Sequence, residues 1–107
     1  MTQISILDPV QFQEKAAQAA GLLRAMSNEH RLMILCRLGE TERSVGDIGQ
    51  TTELSQSALS QHLAVLRDQG LVSTRRAGQH ILYRISDPVI LQLIGVLGRH
   101  FCPDLFE

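Results

Sequence analysis

Apolar positions along this chain follow two periods. In Leu32-Met33-Ile34-Leu35-Cys36, in Leu59, Leu63 and Leu66, and from Val89 to Phe101 they fall at the spacing that buries helix faces, and an alanine-rich run from Ala16 to Met26 is equally suited to a helix. Between Leu71 and Ile85 the period drops to two, with Ile81, Tyr83 and Ile85 sharing a face, which predicts strands.

Punctuation sharpens these boundaries. Asp8-Pro9 reads as N-cap and first residue of a first helix, and Ser27-Asn28 caps a second from Glu29 to about Leu38. That second helix is apolar on most sides and belongs to the core, where a lone Cys36 reads as a small buried hydrophobe. After Gly39 and a charged loop, Ser44-Val45-Gly46-Asp47 matches a capping box and opens a short third helix ending near Thr52. Ser55 caps a fourth helix, Leu54 can staple onto Leu59, and Gly70 supplies the left-handed position behind the helix end with Leu71 folding back. Two strands, Leu71 to Arg76 and His80 to Ile85, flank the turn Ala77-Gly78-Gln79, and Asp87-Pro88 starts the last helix. The expectation is one domain over residues 1–107, mainly α with a small β-hairpin: five helices plus a two-stranded wing.

The fourth helix carries an unusual polar side. Ser55, Gln56, Ser57, Ser60 and Gln61 are short or amide side chains that donate and accept hydrogen bonds, as base edges in a major groove require, whereas an ordinary solvated face prefers Glu and Lys. Alone, this stretch is as compatible with an amphipathic core helix of neutral surface. The short third helix, tight turn and longer fourth helix make a helix-turn-helix, and that context favours double-stranded DNA. His62 and Arg67 on the same helix, and Arg75, Arg76 and Gln79 at the hairpin, complete the candidate DNA-contacting set.

Charge supports a local rather than a global effect. The 107 residues carry a formal net charge of −1, which argues against a generally basic nucleic-acid binder, yet Arg67, Arg75, Arg76 and Arg84 face only Asp68 between positions 67 and 84. The last helix, through Val89, Ile90, Leu91, Leu93, Ile94, Val96, Leu97 and Phe101, is apolar on more than one face, so a homodimer through it and the first helix is expected. The small residues of the first helix allow packing across a subunit boundary or within its own domain equally. No leader-like or bilayer-length apolar segment is seen, and the expected location is cytoplasmic, with no membrane partner.

Cys36 and Cys102 are too far apart in sequence for a CxxC redox motif or a zinc cluster, and no cofactor is expected. A small thiol enzyme, a reductase or sulfurtransferase, is the competing class. It lacks a CxxC, a glycine-rich phosphate loop and a convincing Cys/His pair, so no catalytic residue is assigned. A winged helix kept only for protein interaction is a third option.

The order of elements, the segment Leu54-Ser55-Gln56-Ser57-Ala58-Leu59-Ser60-Gln61-His62-Leu63 and the Arg-flanked hairpin resemble the ArsR/SmtB winged-helix repressors over nearly the whole chain. Met33-Ile34-Leu35-Cys36 and Phe101-Cys102 resemble that family's sulfur- and redox-responsive branch. The resemblance implies a repressor binding an imperfect palindrome, with Cys36 and Cys102 as one sensor and a reactive sulfur species or an oxidant as inducer. Within it, Arg99 three residues before Cys102 would favour the thiolate, which the negative helix end opposes. A metal-responsive repressor is the alternative, but Ser44-Val45-Gly46 stands where the family's metal sensors often carry Cys-Val-Cys. In the last-helix metal pattern Asp87 and His100 fit, while Val89 and Pro103 occupy the other two positions. No metal ligand is therefore assigned, to these or to His30, His62 and His80.

Overall fold

The computed structural model describes residues 8–105. Five helices, α1 (Pro9–Met26), α2 (Glu29–Leu38), α3 (Val45–Gly49), α4 (Gln56–Asp68) and α5 (Pro88–Phe101), surround a sheet of β1 (Arg43–Ser44), β2 (Val72–Ala77) and β3 (His80–Ile85). Helix starts lie where side chains can take up orphan backbone N–H groups: Asp8, Asn28, Ser44, Ser55 and Asp87 each cap one helix in this way.

The end of α4 sets the direction of the wing. Leu71 N–H donates to the Leu66 carbonyl at 2.9 Å and Gly70 N–H to that of Arg67 at 3.0 Å, the paired bonds of a left-handed helix stop, with Gly70 at φ 80°. Leu71 is thereby buried and the chain turns directly into β2. The hairpin closes with Gly78 at φ 63°, and β2 pairs antiparallel with β3 from Val72↔Ile85 to Ala77↔His80.

The core joins one face of each central element: Ile34, Leu35 and Leu38 of α2, Ile48 of α3, Leu59, Leu63 and Leu66 of α4, and Ile90 and Ile94 of α5. Around it, α1 is buried only at Ala25 and Met26.

Three expectations change. The wing is three-stranded in the order β1-β3-β2, because Arg43, expected in the charged loop, and Ser44, expected only as a helix cap, pair with Tyr83 and Leu82. A two-residue strand has too little sequence to show a period. The third helix stops at Gly49, and Thr51 and Thr52 form turns whose hydroxyls donate to the carbonyls of Ile48 and Gly49. Finally, α2 is buried on one side only: Met33 and Cys36 are exposed, so Cys36 is not a core residue.

Candidate nucleic-acid interface and thiol cleft

Helix α4 presents its polar side because its leucines are committed inward: Leu59, Leu63 and Leu66 are buried, while Ser55, Gln56, Ser57, Ser60, Gln61 and Arg67 are exposed. The Ser55 hydroxyl accepts from Ala58 N–H at 3.1 Å, so it serves the helix start. Ser57, Ser60 and Gln61 stand free at three- and four-residue spacing, and the short side chain of Ala64 continues the same exposed strip. Gln56 lies at its margin, lining a groove between α3 and α4 with Leu54, Leu59, Val45, Gly46 and Gly49.

His62 is not on that strip. It is half-buried against the start of α2, its ring 5.6 Å from that of His30, with Nδ1 3.4 Å from Arg31 Nη1. A guanidinium only donates, so Nδ1 accepts and the imidazole is neutral. Burial, then Arg31, then His30 hold its pKa below the ordinary histidine value. Arg31 also donates from Nε to the Ala25 carbonyl at 2.6 Å and from Nη2 to that of Arg24 at 3.4 Å, tying the end of α1 to α4 through one side chain.

On the wing, Arg75, Arg76 and Gln79 are exposed as expected. Arg75 is not free, however: its Nε and Nη2 donate to the two carboxylate oxygens of Glu42 at 2.7 and 2.8 Å, a bidentate pair. This pair holds the Glu42 carboxyl below, and the Arg75 guanidinium above, their usual ranges. Glu42 therefore subtracts from the arginine excess of the wing. Arg76 donates only to the nearby Gly78 carbonyl at 3.4 Å.

Cys36 on α2 and Cys102 at the C-cap of α5 come together, 66 positions apart in the chain. Both are free thiols lining a cavity of about 220 Å³ with Leu32, Ile94, Leu97, Gly98 and Phe101. Although Cys36 keeps an exposed surface, partial desolvation against the cleft, and next the charge of a Cys102 thiolate, push its thiol up from the ordinary pKa. The expected help from Arg99 to Cys102 takes another direction, for its guanidinium folds back over Gly95, with Nη1 3.2 Å from where a Cβ would stand there. Asp87 and His100 sit at opposite ends of α5, a 14-residue helix about 20 Å long, and Asp87 is occupied in capping Val89 N–H at 3.0 Å. Among the described residues no three His, Cys, Asp or Glu side chains gather at a metal-binding distance.

A family model described as bacterial regulatory protein, arsR family, matches residues 28–74, from the α2 cap into β2. The transcriptional activator HlyU of Vibrio cholerae is 48% identical over 92 residues, covering 86% of this chain and 85% of that one. The chain belongs to the ArsR family. A structure of reduced HlyU superposes with a TM-score of 0.80, covering 86% of this chain and 97% of that one at 48% identity. The biofilm growth-associated repressor of Xylella fastidiosa is 41% identical over 90 residues, 84% of this chain and 79% of that one. A homodimeric winged helix-turn-helix DNA-binding domain from Mycobacterium bovis has a TM-score of 0.79 at 28% identity, covering 94% of each chain.

This ArsR-family chain is thus a transcriptional regulator with a winged helix-turn-helix fold. Among the described residues no helix is long and apolar enough to cross a membrane. Sequence reasoning did not find Glu42 or Arg31. Glu42 reaches Arg75 only because β1 joins the sheet, and Arg31 gains its role from the meeting of α1, α2 and α4, so neither leaves a local signal.

Proposed function

We propose that this regulator occupies an imperfect palindromic operator as a homodimer, acts as a repressor, and lets go when Cys36 and Cys102 are crosslinked. The observation that carries the reading is the shared apolar cavity between α2 and α5, which is lined by two free, exposed thiols from distant parts of one chain. Ser57, Ser60 and Gln61 enter the major groove, with Gln56 at the edge, and Arg67, Arg76 and Gln79 flank them.

The dimer reading rests on uncovered apolar surface at the chain's two long terminal helices. On α1, Val10, Phe12 and Leu23 are exposed, and on α5, Val89, Val96, Leu97 and Phe101. A relative's domain is homodimeric, and two-fold symmetry would place the two α4 helices at half-sites about one DNA turn, or a multiple, apart. We read residues 1–107 as one domain serving both tasks.

Crosslinking removes two hydrogens from the thiol pair. Hydrogen peroxide would take them as two waters, leaving a disulfide, whereas an organic persulfide would leave a thiol and hydrogen sulfide. We assign the attack to Cys102, at the C-cap of α5, and the resolving step to Cys36, whose thiol is pushed up by desolvation and by Cys102. The new bond would pin α2 to the end of α5 and so change the spacing of the recognition helices across the dimer. Among the described residues neither thiol-lined cavity includes a histidine to act as base, which favours a sensor over a thiol enzyme.

Intact-mass analysis and operator binding, before and after peroxide or persulfide, test this on the wild type, Cys36→Ser and Cys102→Ser. The wild type should gain an intrasubunit crosslink and release DNA, and both variants should hold it. Release by either variant as in the wild type, or no intrasubunit crosslink, overturns the reading.

A further inference from the structure

The cleft holding the thiols is larger than crosslinking requires. Adjoining the small apolar cavity is an open one of about 710 Å³ to which Cys36 and Cys102 also contribute, walled by Arg37, Glu40, Thr41 and Arg43. Peroxide occupies a few atoms' worth of such a space, whereas its size matches those that bind small organic molecules. Resting on the sensor reading above, we infer that this cavity binds the organic part of the inducer, a small persulfide bearing a carboxylate, with Arg37 and Arg43 as carboxylate anchors.

Charge comes first. Among the described residues, Arg37 and Arg43 oppose only Glu40 on this wall, since Glu42 is held by Arg75. Among the described residues neither arginine makes an ion pair. Arg43 is half-buried and its Nε donates to the Arg37 carbonyl at 3.1 Å, which pins the side chain against the end of α2 and leaves its two terminal nitrogens for a ligand.

The other donors near the wall are already used. Thr41 Oγ1 donates to the Leu38 carbonyl at 2.6 Å, and Thr51 and Thr52, which also line the cavity, donate to Ile48 and Gly49. The arginines are therefore the donors left for an anion. The two arginines and the two thiols line one cavity, so a ligand with carboxylate at one end and sulfur at the other can meet both kinds of group there.

In the sulfur step, the Cys102 thiolate attacks the outer sulfur of R–S–SH. A new S–S bond forms on Cys102, the S–S bond of the inducer breaks, and R–S⁻ leaves with that electron pair and takes up the proton Cys102 released. The Cys36 sulfur then attacks the Cys102 sulfur, joining the two residues and expelling the outer atom as hydrogen sulfide with the remaining two protons.

The full chain on operator DNA tests this with persulfides prepared from 3-mercaptopropionate, 2-mercaptoethanol and cysteamine. Crosslinking is followed by mass and release by anisotropy, each rate divided by that persulfide's rate with a small free thiol. The anionic persulfide should react about tenfold faster than the neutral one, with the cationic one slowest, and the Arg37→Gln, Arg43→Gln double variant should bring the anionic-to-neutral ratio near one. Equal corrected rates in the wild type, which needs no variant to fold, or a preference that survives the double variant, would overturn the carboxylate anchor and leave the sensor standing. If none of the three crosslinks the thiols this inference falls, and if peroxide fails to crosslink them as well the sensor falls with it.

Discussion

Helices α4 and α5 bury similar residues and expose opposite ones. Each turns a row of leucine or isoleucine into the same core, Leu59, Leu63 and Leu66 from one and Ile90 and Ile94 from the other. Outside, α4 shows serines and amides, and its single large exposed apolar side chain is Val65 at 37%. The outer side of α5 shows Val89, Val96, Leu97 and Phe101, the last at 73%. The buried faces describe the fold. The outer faces suit different partners: under the function proposed above, hydrogen-bonding base edges for α4, and another apolar surface for α5.

The largest expected effect comes from putting a charge on the apolar outer side. Val96→Arg on α5, which is not among the residues lining the thiol cavities, should yield a monomer in sedimentation and cost operator affinity about 10²- to 10⁴-fold, the avidity lost with the second half-site. A wild type that sediments as a stable monomer at micromolar concentration would break the comparison at α5.

Substitutions on the polar side should be smaller and divide by type. Gln61→Ala should relax base preference by about 1–3 kcal/mol, read as the affinity ratio between operator and point-mutated operators. Arg76→Ala should weaken binding to all sequences alike and reduce the salt slope by about one. Arg75→Ala should do less, since Glu42 already engages that guanidinium, and Glu42→Gln should strengthen binding to unrelated DNA. Sequence-dependent loss at Arg76 with uniform loss at Gln61 would exchange the two roles.

The smallest effect belongs to the flank of α4. His62 is held neutral, its folded pKa below the unfolded value, so the unfolded chain binds the proton more readily. Stability from this site is full above about pH 6.5 and lost as pH falls through the window below it. Thermal melts should show a modest drop in Tm over that window that His62→Gln abolishes. An unchanged pH profile in the variant would remove Arg31 and His62 as the link between α1 and α4.

Legibility followed the range of the forces involved. Capping residues, the glycine stop at Gly70 and the leucine row of α4 act within a few positions, so helix starts, the hairpin and the exposed polar strip could be read along the chain. Even Cys36 and Cys102 were visible as a pair only through resemblance; their spacing shows nothing. Short elements and long-range partners escaped. Arg43 and Ser44 become a strand only because β3 is there to pair with, and His62, at good helical spacing for a DNA contact, is taken by Arg31 from another helix.

By itself, then, the sequence determined which segments are helical, which faces are apolar, and that one helix carries a side suited to base edges, because those properties follow from local geometry and the period of side chains. Tertiary structure alone decided that Cys36 leaves the core for a cavity shared with Cys102, that Glu42 restrains Arg75, and that Arg31 joins three helices. Each of those depends on which surfaces the core packing brings within a few ångströms, and chain distance carries no information about that.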